Sequence, residues 1–187
     1  VYDGAFSPAQ TLQVQARAYN KGMIASKLAE KEVQTYNMKP ALQLFRAPEP
    51  GLRLQVLSAT GKYTAESVEA GTLERTADVR EISPEPACQS GPCGMIWKGY
   101  FNAPQTGGYQ FWTESDDGSI LYVDTEIVVD NDGDHGMEEK TGQVYLQKGF
   151  HTFKLLYFNS SGGGGLRAWF APPGGVKQAI PGVLISH

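Results

Sequence analysis

The sequence is short of cysteine, has no cluster of cations and no long apolar run, and each shortage closes off a class of function. Only two cysteines, Cys88 and Cys93, occur in 187 residues. A structural zinc site takes about four ligands, and no second cysteine pair or nearby histidine accompanies these two. Their spacing around Ser90-Gly91-Pro92 suits a small disulfide-closed turn, with free thiols as the other reading; a disulfide points to an oxidising compartment. Lys and Arg number 16 against 20 Asp and Glu, a net charge of −4. Nucleic-acid binding rests on phosphate contacts from a basic face, so no nucleic-acid partner is expected. No apolar run approaches the ~20 residues that a helix needs to cross a bilayer, and no direct membrane insertion is expected. The histidines, His135, His151 and His187, stand without evident catalytic partners, and no Gly-x-Ser-x-Gly elbow occurs. The chain is therefore not expected to be an enzyme.

What is present is a core and the alternation of strands. Hydrophobic residues make up 41% and aromatics 11%. Thr11–Tyr19, TLQVQARAY, alternates with period two, as a half-buried strand does. Met23–Tyr36 carries helix-favouring Ala, Lys, Glu and Leu yet alternates near its end, and is read as strand rather than helix. Ala47–Gly51, with Pro48 and Pro50, is the expected linker, dividing an N-terminal β segment (1–49) from a main domain (50–187). Beyond it come short apolar runs at 52–59, 95–101, 109–112, 120–123, 126–129, 143–146, 150–158 and 166–170, punctuated by Gly and Pro. That pattern predicts an all-β sandwich or barrel.

Two turns are acidic. Tyr109–Val123, YQFWTESDDGSILYV, holds Asp116-Asp117-Gly118 between strands. Asp and Gly are ordinary turn residues, so a plain hairpin turn is one reading. The other is a calcium corner, provided that further oxygens arrive from elsewhere, because calcium takes six to eight of them. Asn159, opening the glycine-rich Phe158–Leu166, is the candidate donor; it also lies in the only N-glycosylation sequon, Asn159-Ser160-Ser161. The second turn, Asp130–Gly136, resembles the start of an EF-hand loop. It has His135 where that loop needs Gly and Thr141 where it needs a bidentate Glu, so it reads as a solvated turn whose Asn131 or His135 could line a ligand site. Trp97, Trp112 and Trp169 all lie in strand-like runs. Core packing is the default reading for each, and Trp112 is the best candidate for stacking on a ligand, being near Asp116 in the chain.

Five segments in order, Trp97–Phe101 (WKGYF), Pro104–Phe111 (PQTGGYQF), Ser115–Asp124 (SDDGSILYVD), Leu146–Tyr157 (LQKGFHTFKLLY) and Gly165–Phe170 (GLRAWF), resemble the anthrax-toxin protective-antigen domain family over about residues 50–185. The resemblance implies an antiparallel, jelly-roll-like β-sandwich. Lectin members among flocculins and adhesins hold calcium with a cis-linked Asp-Asp pair, an Asn from a later loop and main-chain carbonyls. Asp116, Asp117 and Asn159, with the carbonyls near Ser161 and Gly163, match that set by position. Where those lectins carry a bulky residue in the later loop, this chain has Gly162–Gly165. Residues 1–36 are similar to the trailing strands of an immunoglobulin-like module. The expectation is a calcium-dependent, glycan-binding module of a larger secreted, periplasmic or cell-surface protein, alongside its other domains. The alternative is a structural or protein-interaction sandwich without sugar binding.

Overall fold

The computed structural model describes residues 11–19, 21–58, 64–84, 88 and 91–187. The chain divides into two compact units, Val1–Asn37 and Met38–His187. The smaller is an antiparallel pair, β1 (Leu12–Ala16) against β2 (Ala29–Val33). Met23–Tyr36 is thus strand over its later part and carries no helix. The immunoglobulin-like resemblance falls partly on residues 1–10, outside the described residues.

The larger unit begins ahead of the expected linker, because the segment from Met38 joins its ladders. Lys39 N–H donates to Tyr145 O (2.8 Å), Gln147 N–H to Lys39 O (2.9 Å) and Leu42 N–H to Phe150 O (2.8 Å). Its strands are β3 (Leu52–Ser58), β4 (Leu73–Val79), β5 (Cys93–Ala103), β6 (Gly107–Asp116), β7 (Ser119–Val123), β8 (Glu126–Asn131), β9 (Glu138–Leu146), β10 (Gly149–Asn159), β11 (Gly165–Ala171), β12 (Gln178–Ala179) and β13 (Ile185–Ser186). They form two antiparallel sheets: β4-β3-β5-β10-β7-β8, with β13 also on β5, and β12-β11-β6-β9. This is the expected all-β sandwich.

Alternation places the core. Leu52, Leu54 and Val56, Met95, Trp97 and Phe101, Phe153, Leu155 and Tyr157 turn inward from the larger sheet, and Tyr109, Phe111, Leu166 and Phe170 from the smaller. Phe101 sits at the centre, edge-on to Phe111 (5.3 Å), Tyr109 (5.6 Å) and Phe170 (5.6 Å). Such pairs add about 0.5–1.5 kcal/mol each beyond area burial. A second, smaller cluster lies on the outward face of the larger sheet, where a 3₁₀ helix, Ala65–Ala70, covers Ile96, Ile120 and Leu156 with Ala65 and Val68. His151 is a structural residue: buried, with its ring nitrogens facing Asp124 Oδ2 (2.9 Å) and Gln147 O (2.8 Å). It anchors Asp124, which turns β7 into β8 at φ 55°.

Candidate functional site

Three chain segments cross from one sheet to the other at the same end of the sandwich. The Asp116–Ser119 corner joins β6 to β7, residues 132–137 join β8 to β9, and 160–164 join β10 to β11. Register draws them together. Asp116 is paired with Gly165, Phe158 N–H donates to Gly118 O (3.0 Å), and Tyr157 O–H donates to Asp116 O (2.7 Å). The Asp116-Asp117 peptide is cis. Gly118 is required by close approach: a Cβ there would lie 2.5 Å from the Phe158 ring and 2.8 Å from Gly133 N.

Asp117 is buried and oriented by donors from both neighbouring corners. Its Oδ2 accepts from Ser160 N–H (2.7 Å) and Ser160 O–H (2.8 Å), and its Oδ1 from His135 N–H (3.2 Å). A carboxylate has about four acceptor positions, and these three donors occupy most of them. Asp116 is different: half-buried, with no hydrogen-bond donor to its carboxylate among the described residues. Burial first, then the Asp117 charge, push its carboxyl above the ordinary range, with His135 pulling the other way. Asp134 reaches the same place. Its hydrogen bond with Asp117, and then the Asp117 charge, raise its carboxyl.

Asn159 supplies the most telling atom. Cys88 and Cys93 are disulfide-bonded, Cys93 is paired in register with Asn159, and the Asn159 amide donates to Cys88 O (3.3 Å) and Gly91 O (3.1 Å). Two carbonyls around one amide group identify it as the NH₂ end. The other end, Oδ1, is buried without a hydrogen-bond partner, an arrangement that costs about 1–3 kcal/mol unless something satisfies the oxygen. Gly164 admits this packing, since a Cβ there would lie 2.1 Å from Cys88 O and 3.0 Å from Asn159 Nδ2. The sequon at Asn159 has no access to a glycan in the folded chain, because its side chain is 1% exposed and its NH₂ is engaged. Ser161, Gly162 and Gly163 are exposed, Gly162 with φ 73°.

Two residues at the corner were not singled out by the sequence, and three that were singled out have definite places in the structure. Ser160 and Asp134 face Asp117 directly; nothing distinguishes them in the sequence from other loop residues. Asn131, read as a residue that could line a ligand site, is buried; its amide donates to Ser115 Oγ (3.0 Å) and Glu138 O (2.9 Å), and its Oδ1 has no hydrogen-bond partner. His135 meets the acidic corner through its main-chain N–H, while its ring turns back on Gly136 O (2.8 Å) and Asn131 O (3.2 Å). Trp112 shares the outward face of β6 with Asp116, but four residues along a strand is about 13–14 Å. It stands directly opposite Trp169, with Lys177 over both rings. Trp97 is core.

The donor set can be tested against calcium on these atoms. Among the described residues, no three His, Cys, Asp or Glu side chains form a metal cage by themselves. Calcium also takes amide and main-chain oxygens. Crowded carboxylates, a buried amide oxygen without a hydrogen-bond partner and an exposed glycine loop fit an oxygen-seeking cation.

Architecture and corner together define an antiparallel β-sandwich with a polar site where its inter-sheet loops converge. The chain belongs to the PA14 domain family, whose model matches residues 49–181. Its fold is similar to the PA14 domain of the MpAFP antifreeze protein (TM-score 0.67, 13% identity, 77% of this chain and 94% of that one). It is also similar to the PA14 sugar-binding domain of an RTX adhesin (0.65, 19%, 74% and 99%). A third similar structure is the A domain of epithelial adhesin 9 from Candida glabrata, in complex with Galβ1-3GlcNAc (0.58, 14%, 74% and 94%). No curated protein matches the sequence.

Proposed function

We propose that this domain is a calcium-dependent carbohydrate-binding module of a secreted, periplasmic or cell-surface protein, without catalytic activity of its own. The observation that carries the reading is the buried, partnerless Oδ1 of Asn159, held beside the Asp116–Asp117 corner by the disulfide loop. Asp116, Asp117 and Asn159 would hold the ion, with carbonyls of Ser161 and Gly163. Bound there, calcium supplies coordination positions that vicinal sugar hydroxyls can take in place of water. The chain's own part is to fix the oxygens beforehand. Ser160 and the His135 N–H orient Asp117, Tyr157 holds the Asp116 carbonyl, and the Cys88 and Gly91 carbonyls point the Asn159 amide. Adjacent carboxylates at one corner do not suit glycoside cleavage, which needs two carboxyl groups about 5–9.5 Å apart across a bond. The ligands of similar domains, sugar for the RTX adhesin and Galβ1-3GlcNAc for the yeast adhesin, support a saccharide.

Calorimetry is expected to find one calcium per chain, and a glycan array is expected to show binding that disappears with chelator. No calcium binding at millimolar concentration, with no glycan retained in either condition, would leave a structural or protein-interaction module.

A further inference from the structure

The outward face of the larger sheet carries a feature that the overall charge conceals. Arg53, Lys98 and Lys154 come from three different strands, yet Arg53 is directly opposite Lys98 and Lys98 directly opposite Lys154. Three cations therefore stand in one row across β3, β5 and β10. Neighbouring strands are about 4.8 Å apart, so the outer two are roughly 10 Å apart at the backbone. Like charges directly opposite one another are unfavourable in a sheet, and two carboxylates relieve the row from its edges, while Lys154 also lies over the Tyr122 ring (4.2 Å). Asp78 takes Arg53 at one end (2.9 Å). Glu69, from the 3₁₀ helix, reaches over Lys154 (3.3 Å) and Lys98 (3.9 Å) at the other. Between them lies a shallow, open depression of about 440 Å³, lined by the three cations, Tyr100, Thr152 and His187 among others, and by no carboxylate.

We infer that this row is a second binding surface, for an acidic saccharide bearing carboxylate or sulfate groups. The exposed Glu69 carboxylate already shows how an anion bridges Lys98 and Lys154. The spacing of the row is close to the length of one sugar ring in a chain, so an acidic glycan lying across the strands meets successive cations. Tyr100 and Thr152 give the same face an aromatic surface and a hydroxyl. Nucleic acid is the poorer occupant, because the whole chain carries −4 and duplex binding needs an extensive basic field. The surface belongs to the opposite sheet from β6 and β11 and needs no metal, so it stands whether or not the calcium reading holds.

The test uses the full chain in excess chelator. It is titrated with a sulfated heparin oligosaccharide, an oligogalacturonate, a neutral dextran oligosaccharide, poly-glutamate and a short DNA duplex. One or both acidic saccharides are expected to bind with affinity falling as salt rises, and dextran is not. Lys98→Gln and Lys154→Gln should each weaken that binding about tenfold, the effect of losing one charge-assisted contact. Glu69→Gln should tighten it several-fold, a gain that no unfolding artefact produces. Sulfated binding alone identifies sulfate esters as the anion, and galacturonate binding alone identifies carboxylates; either supports the inference. Binding insensitive to the lysine variants, binding of dextran as tight as the acidic probes, or no binding at all overturns it. Equal, lysine-dependent binding of poly-glutamate or DNA overturns the saccharide assignment.

Discussion

The two acidic turns of this domain, Asp116–Gly118 and Asp130–Gly136, have similar compositions and opposite fates. In the second, the carboxylates serve the main chain. Asp130 Oδ1 accepts from Asp132 N–H (3.2 Å), and Asp132 Oδ1 from Ala65 N–H (2.5 Å) and Gly133 N–H (2.9 Å). Asp132 thereby fastens the 3₁₀ helix to the sheet. In the first turn, Asp116 meets no donor among the described residues, and Asp117 is oriented by other loops. Acid count alone does not decide which oxygens could take a cation; what matters is whether they are already committed to N–H groups. Asp134 links the two turns, since Asp117 is the main cause that raises its carboxyl.

The contrast can be broken most severely at Asp117. Asp117→Asn presents an amide to three donors, so calcium affinity should fall about a hundredfold or more, beyond the 10–100-fold typical of a supporting residue. Chemical denaturation should show a loss of about 1.5–3 kcal/mol, the range for hydrogen bonds to a charged group. Unchanged calcium affinity by calorimetry would place the ion elsewhere.

Gly164→Ala tests the support of Asn159. The added methyl meets Cys88 O and the Tyr157 hydroxyl (2.1 and 2.5 Å), and such overpacking costs about 1–3 kcal/mol. Thermal denaturation should show that cost, with weaker calcium binding as Asn159 is displaced. A destabilised variant with intact affinity would separate the amide from the site.

Asn159→Ala removes the partnerless oxygen and strands two carbonyls. It should weaken calcium about tenfold or more and cost about 1–3 kcal/mol in stability, read in the same two measurements. Full affinity would remove the observation on which the calcium reading rests.

Asp132→Asn sharpens the comparison from the other side. It should cost about 1 kcal/mol through its two main-chain bonds and leave calcium affinity within twofold. A large loss of affinity there would show that the second turn belongs to the ion site after all. Asp130→Asn, at an exposed residue with one such bond, should do least: within about 0.5 kcal/mol by denaturation, with no change in calcium binding.

Much of the sandwich was legible because burial has a period. Leu52–Ser58 and Tyr109–Trp112 alternate as half-buried strands must, and the structure follows them. The strand Leu73–Val79 was not foreseen. It is a polar edge strand, exposed along most of its length, and leaves no apolar stripe to read. Asp116, Asp117 and Asn159 could be singled out as candidates because the carboxylate pair, the Asn opening a glycine loop and the family resemblance all pointed to them. Ser160 could not, since a serine in a loop is common and only the fold sets it against Asp117.

Residue order alone settled the all-β class, most of the longer strands, the apolar layer between them and the acidic character of one corner, because these follow from local alternation and turn chemistry. Pairing register decided the rest. It set Arg53, Lys98 and Lys154 side by side from positions scattered along the chain, enclosed Asn131, and carried Trp112 away from the corner. It also freed one oxygen of Asn159 by giving both amide hydrogens to the disulfide loop. Hydrogen bonds and charge pairs act over a few ångströms, and which groups come that close is a property of the packed sheets.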